Sequence, residues 1–137
     1  MPNTLPLSPL QRYLKDLEKD GFVADPAQKM AVDKLQMLYE NLLVDQERRD
    51  KESASWFNKF SKKKPTPVKG LYFWGGVGRG KTYLMDNFYE SLPFKEKMRI
   101  HFHRFMQRVH AELKNLKGQK NPLTIVAKKL SDETRII

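Results

Sequence analysis

The strongest chemical signal in the chain is eight consecutive residues, Gly75-Gly76-Val77-Gly78-Arg79-Gly80-Lys81-Thr82. Four glycines fill six positions, and a lysine and a threonine follow. The spacing fits G-x-x-x-x-G-K-S/T, a loop that wraps phosphate. Main-chain N–H groups can all turn toward one anion only where the backbone takes angles that side chains resist, and glycine accepts those angles. The missing Cβ atoms also let the backbone come close to phosphate oxygens. A helix starting where the loop ends would add its unpaired N–H groups and its dipole. Lys81 would bring a mobile positive charge to the β- and γ-phosphates of a nucleotide, and the Thr82 hydroxyl would hold Mg²⁺. A glycine-rich turn that binds nothing is the alternative. The flanks argue against it, because an apolar run precedes the loop and a helical pattern follows.

Hydrolysis asks for more than this loop. An acidic residue at the end of a neighbouring strand must hold Mg²⁺ and orient water, and an arginine usually neutralises developing charge. No apolar run ending in Asp-Glu occurs. Asp132-Glu133 follows "KKLS" and precedes its apolar residues, the wrong order. Asp86 and Glu90 fall on the helix after the loop and suit its surface. No N/T-K-x-D motif is present, which weighs against a guanine nucleotide. The loop alone would also allow a small-molecule kinase, but no acceptor-site signature accompanies it.

The elements around the loop follow from apolar spacing. Ser8-Pro9 starts a helix that puts Leu10, Tyr13, Leu14 and Leu17 on one face and ends at Gly21. Asp25-Pro26 repeats the start signal for a helix to about residue 50, with Ala31, Leu35, Leu38 and Leu42 as its stripe. "SASWFNKF" reads as a short third helix whose Trp56, Phe57 and Phe60 seek a partner surface, more as core than as contact. "SKKKPTPVKG", with two prolines and four lysines, reads as a connector. Lys62, Lys63 and Lys64 are taken as solvated, with an anionic contact as the sharper reading.

Beyond the connector the pattern alternates. Leu71–Trp74 is a continuous apolar run, as in a strand buried on both faces. Residues 80–92 read as a helix with Leu84, Met85, Phe88, Tyr89 and Leu92 inward. "KMRIHFH" alternates as a half-buried strand, and Phe105, Met106, Val109, Leu113 and Leu116 continue as a helix to Gly118. Residues 124–134 suggest one more helix, and "TRII" the start of another strand. This order predicts an α/β fold with a parallel sheet and right-handed crossovers, preceded by a helical N-terminal region. The expected organisation is a helical region over 1–60, a basic proline-containing linker over 61–69, and the first part of a P-loop domain over 70–137.

Composition narrows the setting. The 137 residues contain no cysteine, which excludes disulfides and thiolate metal sites. No apolar run nears the ~20 residues of a membrane span, and the first residues lack the features of a secretory signal or presequence. A cytoplasmic protein is the expectation. The net charge of +10 is uneven, −2 over residues 1–50 and +12 over 51–137. A basic half suits a polyanion such as nucleic acid. A solvated surface plus a phosphate site is the plainer and favoured account. His101 and His103 alternate onto one face of the expected strand. No third metal ligand is evident, so a surface or partner-facing role is favoured; His110 reads as ordinary. Arg104 falls just past that strand, where open α/β sheets place ligands, so it is a candidate phosphate or substrate contact.

"GLYFWGGVGRGKTYLMDNFYESLP", followed by "KMRIHFHRFMQRVHAEL", resembles the ZapE family of bacterial AAA+-type ATPases, which are associated with cell division and related to a mitochondrial ATPase family. "YLKDLEKDGFVADPAQKMAVDKLQMLY" is similar to that family's leading helices, so the resemblance covers nearly the whole chain. Its most specific parts are Arg79 within the loop, the "LMDNFY" helix and the "HFHRFM" segment. The resemblance implies an AAA+-like P-loop fold, ATP as ligand with Mg²⁺, ATP hydrolysis, the bacterial cytoplasm, a division-ring protein as partner and, by analogy, a homo-oligomer. The family pattern continues with a strand ending in Asp-Glu, the Walker B element, and then sensor, arginine-finger and lid elements. The sequence stops where that strand is expected. It therefore reads as the N-terminal part of a longer ATPase, with an incomplete sheet and no turnover of its own. Two rival readings stay open: a nucleic-acid-associated AAA+ loader, and a nucleotide-binding fragment without turnover.

Overall fold

The structure, a computed structural model, describes residues 5–54, 67–75 and 80–137. Five helices lie among them: α1 (Pro9–Leu17), α2 (Pro26–Ala54), α3 (Lys81–Ser91), α4 (Phe102–Lys114) and α5 (Pro122–Glu133). They divide into two compact units, Met1–Pro93 and Phe94–Ile137.

In the first unit α1, α2 and α3 touch pairwise. The Ser8-Pro9 start forms as expected. Ser8 accepts a hydrogen bond from the Gln11 N–H, and the Gln11 side chain accepts one from the Ser8 N–H, a reciprocal capping box. Asp25 caps α2, its Oδ1 accepting from the Ala27 N–H at 2.9 Å. The α2 stripe buries Val32, Leu35, Leu38, Tyr39 and Leu42, while α3 buries Leu84 and Phe88 and ends on buried Leu92. Burying each such side chain contributes about 1.5–3 kcal/mol. Met85 and Leu14, expected inward, stay about half exposed.

Polar bonds fix α1 on α3 with a defined register. The Tyr83 hydroxyl donates to Asp16 Oδ2, Asn87 Nδ2 donates to the Pro9 carbonyl at 3.2 Å, and Arg12 pairs with Glu90. Phe22, in the turn between α1 and α2, packs at a tilt of 59° against Tyr83 with ring centroids 5.3 Å apart, and Tyr13 and Phe22 meet edge-on at 6.1 Å. Further along α2, buried Asp45 is held by Arg48 and Arg49 of the same helix at 2.7 and 2.8 Å.

The second unit closes on Val109 of α4 and Val126 and Leu130 of α5, with Phe105, Leu113 and Leu116 packed against them. Lys129–Glu112, at 2.7 Å, and Arg108–Glu133 join the two helices. One isolated parallel bridge links Lys97 and Ile136, with Arg135 N–H donating to Glu96 O and Met98 N–H to Ile136 O. The Arg135 guanidinium lies over the Phe94 ring at 4.7 Å.

The parallel α/β sheet expected from the alternation is therefore not formed; the described residues are helical, with that bridge their only β pairing. Leu71–Trp74 carries no ladder, and Tyr72 and Trp74 are 86% and 83% exposed. The alternating "KMRIHFH" gives up its last two residues to α4, which begins at Phe102. The reason is the non-locality of sheets. A strand persists only when a neighbour takes its N–H and C=O groups, whereas a helix satisfies its own. A further consequence is that His101 and His103 do not share a strand face: His101 is the N-cap of α4 and His103 lies in its first turn, both exposed. The short helix expected around Trp56, Phe57 and Phe60, and the Lys62–Lys64 run, fall outside the described residues.

Hydrogen bonds from Lys19 first, then Tyr83, hold the Asp16 carboxyl below its ordinary pKa. Burial first, then the Asp16 bond, push the Tyr83 hydroxyl up. Tyr83→Phe should lower the unfolding free energy at neutral pH by about 1–2 kcal/mol, read from the urea transition. The depressed Asp16 stabilises the fold above the unfolded carboxylate pKa of about 3.9 and loses that effect as pH falls through its folded value. Asp16→Asn should therefore flatten the acid limb of the stability profile below about pH 4, and an unchanged limb would contradict the link.

Candidate phosphate-binding loop

The loop starts at Gly75 and delivers Lys81 and Thr82 onto the first turn of α3. Gly75, Gly80, Lys81 and Thr82 are described; Gly76, Val77, Gly78 and Arg79 fall outside the described residues. Gly80 is the N-cap, at φ 98° and ψ −7°, in the left-handed region where a side chain is strained. Its carbonyl accepts the first bond of the helical ladder, from the Leu84 N–H at 2.8 Å. No side chain caps this helix start, and no acidic residue lies in its first turn. α4 and α5 likewise begin without a side-chain cap, whereas at α1 and α2 Ser8 and Asp25 supply side-chain acceptors. A helix start with this composition favours an anion through its unpaired N–H groups and dipole.

Lys81 turns back across the loop, and its Nζ donates to the Gly75 carbonyl at 2.7 Å. This charge-assisted bond joins the two ends of the loop. What calls for glycine at position 75 is its backbone, at φ 152°, since a Cβ there would meet Lys81 Nζ only at an ordinary contact of 3.6 Å. Thr82, one residue on, is exposed. An exposed hydroxyl beside a helix N-terminus suits one Mg²⁺ ligand, the remainder coming from phosphate oxygens and water. Among the described residues no group of three or more His, Asp or Glu is placed to hold a metal by itself.

The other residues singled out from the sequence do not gather here. Glu90 pairs with Arg12 on the outer side of the α1–α3 contact. Asp132 pairs with Lys128 along α5, and Glu133 with Arg108. Arg104 and His110 are exposed positions on α4. The structure also adds a residue that periodicity does not single out. Gln28, on the first turn of α2, places its side-chain amide against Gly80; an ideal Cβ built on that glycine would lie 2.7 Å from Gln28 Nε2. Nothing local marks this glutamine, because the contact joins segments far apart in sequence. Tyr83 and Asn87, read only as helix positions, prove to anchor the loop's helix to α1.

The profile of the AFG1-like ATPase family matches residues 7–137. Cell division protein ZapE of Escherichia coli is 44% identical over 137 aligned residues, covering 96% of this chain and 36% of that protein. An uncharacterized protein of Schizosaccharomyces pombe is 38% identical over 128 residues, covering 75% of this chain and 28% of its own length. Lactation elevated protein 1 homolog B of Danio rerio is 34% identical over 109 residues, covering 72% and 20%. The chain thus spans about a third of the length of the first of these relatives, and less of the others. No solved structure matches it.

Gly80→Ala should lower the melting temperature for two separable reasons. The left-handed φ costs an L-residue about 1 kcal/mol or more, and the new methyl meets Gln28. Adding Gln28→Ala should recover the second part only. Full recovery in the double variant, or no loss in the single one, would contradict the geometry.

Proposed function

The chain belongs to the AFG1-like ATPase family, and on that premise we propose that its loop from Gly75 to Thr82 binds the triphosphate of ATP for hydrolysis by the whole protein. The observation that carries the proposal is the placement of Lys81, whose ammonium crosses the loop to Gly75 O from the first turn of an uncapped helix.

The roles follow from the chemistry of each group. Main-chain N–H groups of Gly75, Gly76, Val77, Gly78, Arg79 and Gly80 surround the phosphates, and the α3 N-terminus takes their charge. The Lys81 ammonium leaves a neutral carbonyl for a doubly charged phosphate, a stronger acceptor. This couples occupancy of the site to release of the loop's internal bond. Thr82 would hold Mg²⁺, which would neutralise phosphate charge. The residue that orients the attacking water and the arginine that meets developing charge are not assigned to any residue of this chain.

At the level of the whole protein, the reading is a ZapE-type ATPase. It would act in the bacterial cytoplasm, in cell division, by remodelling a division-ring protein, and would do so as a homo-oligomer. The 44% identity to a protein named for cell division supports the cellular setting. No helix of the described residues is long and apolar enough to cross a membrane.

Lys81→Ala should weaken MgATP binding by at least about tenfold, which is 1.4 kcal/mol, in a calorimetric titration of the whole protein. Its circular dichroism should keep the helical signal. Undiminished affinity would remove the assignment of the ammonium to the phosphates.

A further inference from the structure

The second unit carries its charge unevenly. Residues 94–137 hold eleven Lys/Arg against four Asp/Glu. Three of the four carboxylates are already met: Glu112 by Lys129, Asp132 by Lys128 and Glu133 by Arg108. All three pairs draw on α5, whose own two lysines and two carboxylates balance. The surplus falls on α4 and on the turn that follows it. Arg104, Lys114, Lys117 and Lys120 are exposed there and make no ion pair among the described residues.

Their arrangement is regular. His103, Gln107, His110 and Lys114 recur turn by turn along α4, all exposed, and so form one row about 16 Å long. The row lies opposite the apolar side that Phe105, Val109 and Leu113 turn to α5. Arg104 borders the row, and Lys117 follows Lys114 by three residues. The one carboxylate of α4, Glu112, is turned to Lys129. Helix stability accounts for Lys114, in the last turn where a cation suits the dipole. It does not account for Arg104, whose place in the first turn opposes the dipole.

We propose that this face of α4 binds nucleic acid through its phosphates, without reading sequence. It shares no residue with the Gly75–Thr82 loop and does not rest on that reading. A polyanion of evenly repeated charge suits cations set along a rigid helix, and the release of its counterions drives binding. Lysine, arginine and Gln107 are side chains that bond phosphate oxygens. An anionic membrane fits this face less well. A helix lying on lipid sinks its apolar side into the bilayer, and α4 has spent that side on α5. An acidic protein also fits less well, because its interface would centre on large apolar anchors, which the row lacks.

The test is fluorescence anisotropy on the whole protein with a labelled oligodeoxynucleotide, single- and double-stranded, beside co-sedimentation with phosphatidylglycerol–phosphatidylcholine vesicles. With four phosphate contacts, duplex affinity should fall roughly a hundredfold between about 50 and 200 mM salt. Lys114→Gln with Lys117→Gln should weaken binding and flatten the salt slope by about 0.7–0.9 per lysine. Lys15→Gln with Lys34→Gln removes the same charge from exposed positions of α1 and α2, and should leave affinity and slope near wild type. All four lysines are exposed, so both double variants should keep the wild-type melting temperature. Equal losses in the two double variants would reduce the binding to net charge and overturn the proposal. Undetectable oligonucleotide binding at low salt would overturn it too. Vesicle binding without oligonucleotide binding would do the same, by assigning the face to a membrane.

Discussion

The site depends on one helix being held firmly along its body while its beginning stays open. α3 spends Leu84 and Phe88 on the shared core, and it receives Tyr83–Asp16, Asn87–Pro9 and Glu90–Arg12 bonds from α1. None of these contacts uses the first two residues of the helix. Lys81 and Thr82 therefore start a rigid element with no side chain capping it and no acidic neighbour in the first turn. A loop that binds phosphate through backbone groups needs that rigidity, since each N–H must already point at the anion when it arrives.

This gives the leading helices a purpose beyond their own stability. α1 touches the α3 face bearing Tyr83, Asn87 and Glu90, while α2 brings Gln28 to Gly80 at the start of α3. The polar links act mainly as register pins, and the apolar stripe supplies the larger part of the association energy. The bond across the loop from Lys81 to Gly75 is of the replaceable kind. It occupies the ammonium with a neutral acceptor that a phosphate can displace.

Much of this was legible in the residues, and the failures have a common cause. Helix starts at Ser8-Pro9 and Asp25-Pro26 are local chemistry, and both form where expected. The core stripe of α2 was read one residue loosely, since Val32 and Tyr39 are buried beside Leu35, Leu38 and Leu42. The glycine-lysine loop is a reading of residue types, and of its eight residues the structure describes Gly75, Gly80, Lys81 and Thr82. The sheet did not form, because the apolar run of Leu71–Trp74 and the alternation of Met98–His103 state what a strand would look like without supplying its neighbour. Gln28 and the Tyr83–Asp16 pair escaped notice for the same reason in reverse. Their meaning lies in contacts across the chain, and each alone looks like an ordinary surface residue of a helix.

The central claim is that the start of α3 grips a triphosphate. Amide hydrogen exchange on the whole protein, with and without saturating MgATP, addresses it at the backbone itself. The account predicts slowed exchange concentrated in residues 75–84, with the α4–α5 hairpin unaffected. Saturated nucleotide binding with no added protection in that stretch, and protection appearing elsewhere, would contradict it.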